Sequence, residues 1–343
     1  MLEELSGDFL QWLRGFYYVA NTGSIRRAAE LMHRNPSTIS YQIRNLEQEL
    51  NVVLFDRCKK SLRITQEGKK LLEWTITTFE TLESMRSEVG SADGNLQGRV
   101  EIAITLPFAA LTVGVITKFC QNNPNVEVNL LRSLSYEAQT SVRESKVDFA
   151  MTGVLRIPEK DHMDVLFKAR PMLVVRRDHP WHIPVVPTVD VLQKLPFISF
   201  LPQDLYREGG GQSLERAVRQ TYQRKVAITV NNYHIMLRFV LQGLGVAVLD
   251  EVCLRATLFG ADWSPLISYP LDHILPNVLY GILTRRNKHF SPQAEALRAE
   301  VKSHMYGLQP LQPLVPEVVG VPTSKEGASA PRRRRQRKME NTE

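Results

Sequence analysis

The stretch from Trp12 to Gly68 permits few folds other than a winged helix-turn-helix. Asn35 stands where an N-cap belongs, and Pro36 takes the first position of the next helix, where a missing N–H costs nothing. In that helix Ile39, Ile43, Leu46 and Leu50 recur with the period of one buried face. Ser37, Thr38, Ser40, Tyr41 and Arg44 are left on the other. Short hydroxyls beside a guanidinium suit a helix entering a major groove, where base edges and phosphates both accept from donors. The pattern predicts a DNA-reading head.

The flanking residues agree. Trp12, Leu13, Phe16, Val19 and Ala20 form the stripe of a first helix, which Gly23 ends; Ser24 is placed to cap the second. In the second helix Ala28 and Ala29 are small enough for another helix to cross closely, with Leu31 following. Arg26, Arg27, Arg34 and Arg44 face a single acid, Glu30, so the segment is locally basic. Arg57 and Arg63, in the wing, add two more candidate phosphate contacts.

Several of these residues form an ordered set: Trp12-x3-Phe16-x2-Val19-Ala20, Gly23-Ser24, Ala28-Ala29-x-Leu31, Pro36-Ser37-x2-Ser40, Ile43-x2-Leu46-Glu47-x2-Leu50, Leu54-Phe55-x-Arg57 and Thr65-x2-Gly68. That set resembles the signature of LysR-type transcriptional regulators, without gaps here and more weakly as far as about residue 306. Ile25-Arg26 departs from it, since the family more often carries Phe and a small polar residue. The resemblance implies an α/β multidomain chain: a winged helix-turn-helix over 1–65, a linker and dimerisation helix with a hinge over 66–92, and an effector-binding domain over 93–306. That last domain is expected to be two-lobed and periplasmic-binding-protein-like, with lobe 1 over about 98–167 and 270–306 and lobe 2 over about 168–269. A sequence-specific regulator, not an enzyme, is expected, binding double-stranded promoter DNA and a small effector.

Composition narrows the partners. The 343 residues carry a formal net charge of +7, which favours a polyanion. No run of about 18 apolar residues occurs and the start, Met1-Leu2-Glu3-Glu4, has no basic n-region, so membrane spanning and export are not expected and a cytoplasmic, nucleoid-associated place is. Cys58, Cys120 and Cys253 are too few and too far apart for a disulfide framework or a zinc site, and neither metal nor cofactor is expected. Cys120 and Cys253 sit in apolar helical patterns as small core residues, whereas Cys58 lies among cations that favour a thiolate and leave open a redox-sensing role.

After the wing, Thr65 can cap a long helix in which Leu71, Thr75, Thr78, Leu82, Met85 and Val89 form a heptad seam, widened by Leu72, Ile76 and Phe79. Such a stripe needs a partner, and a second copy of the chain is the simplest. The expected product is a homodimer, or a tetramer built from it, with half-sites about 34–36 Å apart. Ser91-Ala92-Asp93-Gly94-Asn95 reads as a hinge.

Beyond Gly98 strands alternate with helices: Val100–Ile104, Val126–Leu131, Phe149–Met151, Met172–Val175, Phe197–Phe200, Gly243–Leu249 and a returning Val278–Leu283. Alternation predicts βαβ units and mostly parallel sheets, with ligands at the carboxyl ends of strands. Thr105, Ser133, Ser135 and Thr152 lie just past strands of the first lobe, and Ser199 and Phe200 end a strand of the second. Ser135 is also placed to cap the helix that follows, and hydroxyls at helix starts suit a small anion. The resemblance puts a ligand-contacting Ser or Thr at Thr105, and Arg132-Ser133 replaces an acid-glycine pair, adding a cation. Gly209-Gly210-Gly211-Gln212-Ser213 lacks the spacing and lysine of a P-loop and reads as a loop. The end of the chain, 307–343, reads as a disordered basic tail whose Arg332–Lys338 run suits phosphates. Contact with RNA polymerase is compatible with such a regulator. An effector-independent architectural DNA protein, or an enzyme on the α/β lobes, remain alternative readings.

Overall fold

The computed structural model describes residues 8–58, 61–90, 95–200, 213–257 and 264–306, with the side chains of 57, 58, 61 and 87–90 left out. The loop Gly209–Gln212, the hinge residues Ser91–Gly94 and the tail 307–343 lie outside the described residues, as does the side chain of Cys58.

The head consists of α1 (Phe9–Thr22), α2 (Ile25–Met32), α3 (Pro36–Leu50) and an antiparallel wing, β1 (Phe55–Cys58) with β2 (Ser61–Ile64). Phe16, Val19, Ala28, Ile39, Leu46 and Leu54 are fully buried at its centre, which is the stripe that the spacing predicts. Gly23 ends α1 in the left-handed region, at φ 64°, and its N–H reaches the carbonyl of Val19. The Ser24 hydroxyl accepts from the N–H of Arg27 at 3.3 Å and caps α2. Asn35 has the extended backbone of an N-cap, but its side chain makes no capping bond.

The helix α4 (Gln66–Gly90) starts where the Thr65 hydroxyl accepts from the N–H of Gly68 at 3.0 Å. The expected partner-facing seam is partly used up within the chain. Leu71, Leu72 and Phe79 pack on the head's own core, Thr75 is 1 % exposed and Ile76 6 %. The cause is continuity: α4 leaves the wing directly and crosses α1, so its first turns are the nearest apolar cover for the head. Leu82 is half-buried, Met85 is exposed and so is Trp74; the side chain of Val89 lies outside the described residues.

Next come β3 (Gly98–Ile104), α5 (Leu106–Asn122), β4 (Val126–Arg132), α6 (Ser135–Arg143), β5 (Phe149–Val154) and β6 (Asp161–Ala169). The chain then builds a second lobe from β7 (Pro171–Arg176), α7 (Val189–Leu192), β8 (Pro196–Phe200), α8 (Leu214–Thr221), β9 (Lys225–Val230), α9 (Tyr233–Leu241), β10 (Ala247–Asp250), α10 (Glu251–Thr257) and β11 (Leu266–Pro270). It returns through β12 (Val278–Arg285) and ends in α11 (Pro292–Tyr306). Lobe 1 is a sheet of order β4-β3-β5-β12-β6, and lobe 2 holds β10-β7-β11 and the pair β8-β9, bridged by Phe197 and Val246.

The sheets are mixed, not mostly parallel. β3 runs parallel to β4 and β5, and β8 to β9, but β12 is antiparallel to β5 and β6, and β7 to β10 and β11. A strand that returns from the other lobe enters its sheet from the opposite end, which reverses its direction. Phe108, Phe119, Phe149, Met151 and Ile282 fill the core of lobe 1; Met172, Ile198, Leu237 and Leu249 fill that of lobe 2.

Candidate DNA-reading face and effector cleft

On α3 the buried and exposed faces separate as the spacing requires. Ser37, Thr38, Tyr41 and Arg44 are exposed and Ser40 is half-buried, while Pro36 opens the helix at the surface. Arg34 precedes it, also exposed, and Arg63 is exposed on the wing. The side chain of Arg57 lies outside the described residues. Arg26 is 84 % exposed and pairs with Glu30 at 3.3 Å, a surface pair weak enough to exchange for a phosphate. Gln42 was not singled out, yet it is buried against α1. A Cβ at Gly15 would lie 2.4 Å from its Oε1, so the two helices touch through a glycine and an amide. Its spacing from Ile39 and Leu46 was the available signal.

A cavity of about 340 Å³ opens between the lobes. Thr105, Arg132, Ser133, Ser135 and Phe200 line it together, although they come from three separate stretches of the chain. Four helices begin at its wall: the N-caps of α5, α6, α8 and α9 are Thr105, Leu134, Ser213 and Asn232, and all four are lining residues. Their dipoles, and the first-turn N–H groups that no cap takes, favour an anion at this part of the wall. The Thr105 hydroxyl makes only a long bond, 3.4 Å, to the carbonyl of Met151. Arg132 is exposed at the end of β4, with no ion pair among the described residues.

Three expectations need correction. Thr152 and Ser199 are buried and absent from the cavity wall, because successive side chains on a strand point to opposite faces. Gly153 and Phe200, one residue on, are the ones that reach it. Ser199 instead accepts from Arg224 at 2.8 Å. Ser135 is the first residue of α6 and not its cap; the chain bends at Leu134, whose N–H is taken by Glu137 at 2.8 Å.

The cavity floor was not read from the sequence. Asp250, Cys253 and Tyr280 meet there, each buried. The Asp250 Oδ1 accepts from the N–H groups of Val252 and Cys253, both at 2.9 Å, and Tyr280 donates to the same carboxylate at 3.1 Å. Burial pushes the Asp250 carboxyl above its ordinary range, against the lowering effect of these donors. Burial also holds the Cys253 thiol well above its ordinary value, so it is a poor nucleophile. Cys120 is half-buried and free. One side wall is aromatic: Phe200 stacks on Tyr233 with ring centres 4.3 Å apart. An acid directly before a helix, ending an apolar strand, was the readable sign of Asp250. Where the chain crosses between lobes, Arg170 pairs with Glu251 at 2.7 Å and donates its N–H to the same side chain at 2.9 Å. Among the described residues no His, Cys, Asp and Glu cluster could hold a metal, and no helix is long and apolar enough to cross a membrane.

Two family models match the chain: "Bacterial regulatory helix-turn-helix protein, lysR family" over residues 10–69 and "LysR substrate binding domain" over 93–306. The chain is similar to the HTH-type transcriptional regulator IlvY of Escherichia coli, at 26 % identity over 86 % of this chain and 99 % of that one. It is similar to the HTH-type transcriptional regulator YtlI of Bacillus subtilis, at 25 % identity over 85 % of this chain and 92 % of that one. A full-length OxyR variant from Pseudomonas aeruginosa has the same fold, with a TM-score of 0.61 at 17 % identity over 86 % of this chain and 94 % of that one. With its reading head, its linker helix and a cleft between two lobes, the chain belongs to the LysR family of bacterial transcriptional regulators, proteins that bind DNA and an effector and are not enzymes.

Proposed function

We propose that the protein acts as a homodimer, or a tetramer of two such pairs, that grips a dyad-symmetric promoter site with its α3 helices. A small anionic or polar effector entering the lobe cleft changes that grip. The observation that carries the effector reading is the cleft wall: four helix N-termini, and Arg132 with no ion pair among the described residues, around about 340 Å³. Small-ligand sites begin near that volume. Self-association is supported by apolar residues left uncovered on one chain. Trp74 and Met85 are exposed on α4, 71 % and 55 %, and Leu130 and Leu131 on the free edge strand β4. The Thr105, Arg132, Ser133, Ser135 and Phe200 group holds the effector; Ser37, Thr38, Ser40, Tyr41 and Arg44 face base edges, with Arg34, Arg57 and Arg63 on phosphates. Closing the lobes alters the spacing of paired heads, and with it the DNA bend and the access of RNA polymerase, in the cytoplasm at the nucleoid.

Footprinting of the purified protein on genomic fragments, with and without small acids that raise its melting temperature, tests the whole reading. Discrete dyad sites whose protection changes with a stabilising acid support it. Diffuse protection that no ligand alters sinks it.

A further inference from the structure

Among the described residues Asp250 is the one acid that lines the cavity; it is 4 % exposed, and its bonding is one-sided. Oδ1 takes two backbone N–H groups and the Tyr280 hydroxyl, whereas Oδ2 takes that same hydroxyl, at 3.2 Å, and no backbone N–H among the described residues. No cation pairs with this carboxylate among the described residues. A helix cap needs an acceptor but not a charge, and Ser213 and Asn232 cap the neighbouring α8 and α9 without one. Burying an unpaired carboxylate is costly, so a neutral cap would serve α10 better if capping were the sole task. Asp250 lines the same cavity as the donors Thr105, Ser133 and Arg132, and its carboxylate keeps acceptor capacity there.

We infer that the effector is a small acid that also carries a donor group, a hydroxyl or an ammonium, with its acidic end at the Thr105, Ser133 and Arg132 side and its donor on Asp250. The inference rests on the cleft being the effector site and adds the second recognition point. The body between the two ends meets Leu134, Val154, Val278 and the Phe200–Tyr233 stack, so it is apolar. Because Tyr280 stands on β12 of lobe 1 and Asp250 on β10 of lobe 2, a donor arriving at Asp250 adds to a bond that already spans the lobes. Binding therefore favours one lobe arrangement.

The test uses the full chain and straight-chain carboxylates of about four to six carbons, either plain or bearing one hydroxyl or one ammonium at each position. Calorimetry gives the affinity ratio of substituted to plain acid. The wild type is expected to favour a substituted acid about tenfold or more, the scale of a hydrogen bond to a charged group. In Asp250→Asn, which keeps an acceptor for the α10 cap, the ratio falls towards one. Hydroxy and amino acids compete in separate arms, and the arm that shows the preference names the donor. Tyr280→Phe leaves the carboxylate and removes its present donor, so it retains the preference; this variant decides the matter if Asp250→Asn does not fold. Plain acids binding as tightly, an Asp250→Asn ratio equal to wild type, or a preference lost in Tyr280→Phe would each overturn the inference while leaving the cleft intact as a site. No acid of any kind binding, with Arg132→Ala indistinguishable from wild type, removes the cleft reading itself.

Discussion

Lys288 donates to Glu80 at 2.8 Å across 208 residues of sequence, joining the linker helix α4 to the lobe 1 sheet. Arg285 pairs with the other oxygen of Glu80, Ser145 donates to the first at 3.1 Å, and Lys288 also lies 3.6 Å from Asp148. Glu80 and Lys288 are each 9 % exposed, so these charges sit largely out of water. A buried cluster of this kind fixes an angle more than it adds stability, since apolar packing would join the two surfaces more strongly.

Glu80→Ala leaves Arg285 without its carboxylate and Lys288 with Asp148 as its remaining acid. The expected loss is about 3–5 kcal/mol of local stability, the scale for removing one member of a buried pair. Hydrogen exchange over 77–84 and 285–288 should quicken while the head's core is unchanged; equal exchange in both proteins would show that the cluster holds nothing.

Arg44 and Arg34 should separate on DNA. Arg44→Ala is expected to cost about 1–3 kcal/mol and to relax base preference, whereas Arg34→Ala weakens all sequences alike and lowers the salt slope by about one. Gel shifts on one operator and one scrambled fragment, across a salt series, distinguish the two outcomes.

Gly281 sits at the register shift where β12 bulges between Tyr280 and Gly281, and a Cβ there would lie 2.1 Å from the carbonyl oxygen of Asp164. Backbone cannot yield cheaply, so Gly281→Ala should destabilise lobe 1 by about 1–3 kcal/mol. Gly114, within α5, has nothing within 4 Å of the same atom, and Gly114→Ala should stabilise by about 0.5–1 kcal/mol. Denaturant melts of both variants check the contrast.

Asp164 is partly desolvated, which raises its pKa, yet Lys302 and Arg298, at 3.1 and 2.9 Å, outweigh that and hold it below its ordinary value. A depressed carboxyl stabilises the fold above its unfolded value, near 4, and loses that contribution as pH falls through the folded one. Asp164→Asn should therefore melt lower than wild type at pH 7, with the gap closing towards pH 3. A constant gap across that range would show that charge is not the source.

The reading head was legible because its signals are local. A capping serine, a glycine in the left-handed region and a stripe such as Ile39, Ile43 and Leu46 act within a few residues of chain. Thr105 and Arg132 were legible for the same reason, as residues at the ends of strands. Ser199 against Phe200 was not, since a one-residue shift in the register of β8 exchanges which of them faces the cleft. The seam of α4 carried apolar periodicity but no address: the same stripe serves the chain's own head or a partner, and proximity assigned Leu71 and Phe79 to the head.

By itself the sequence determined the helices of the head, the two faces of α3 and the basic surface around it, because helix caps, periodicity and charge are properties of neighbours along the chain; it did not give β6, β9 or β11. Tertiary structure alone decided the antiparallel return of β12, the meeting of Asp250 with Tyr280, and the anchoring of Glu80 between Arg285 and Lys288. Those pairings close loops of about thirty to two hundred residues, and their partners are chosen by packing of whole lobes, which no local spacing encodes.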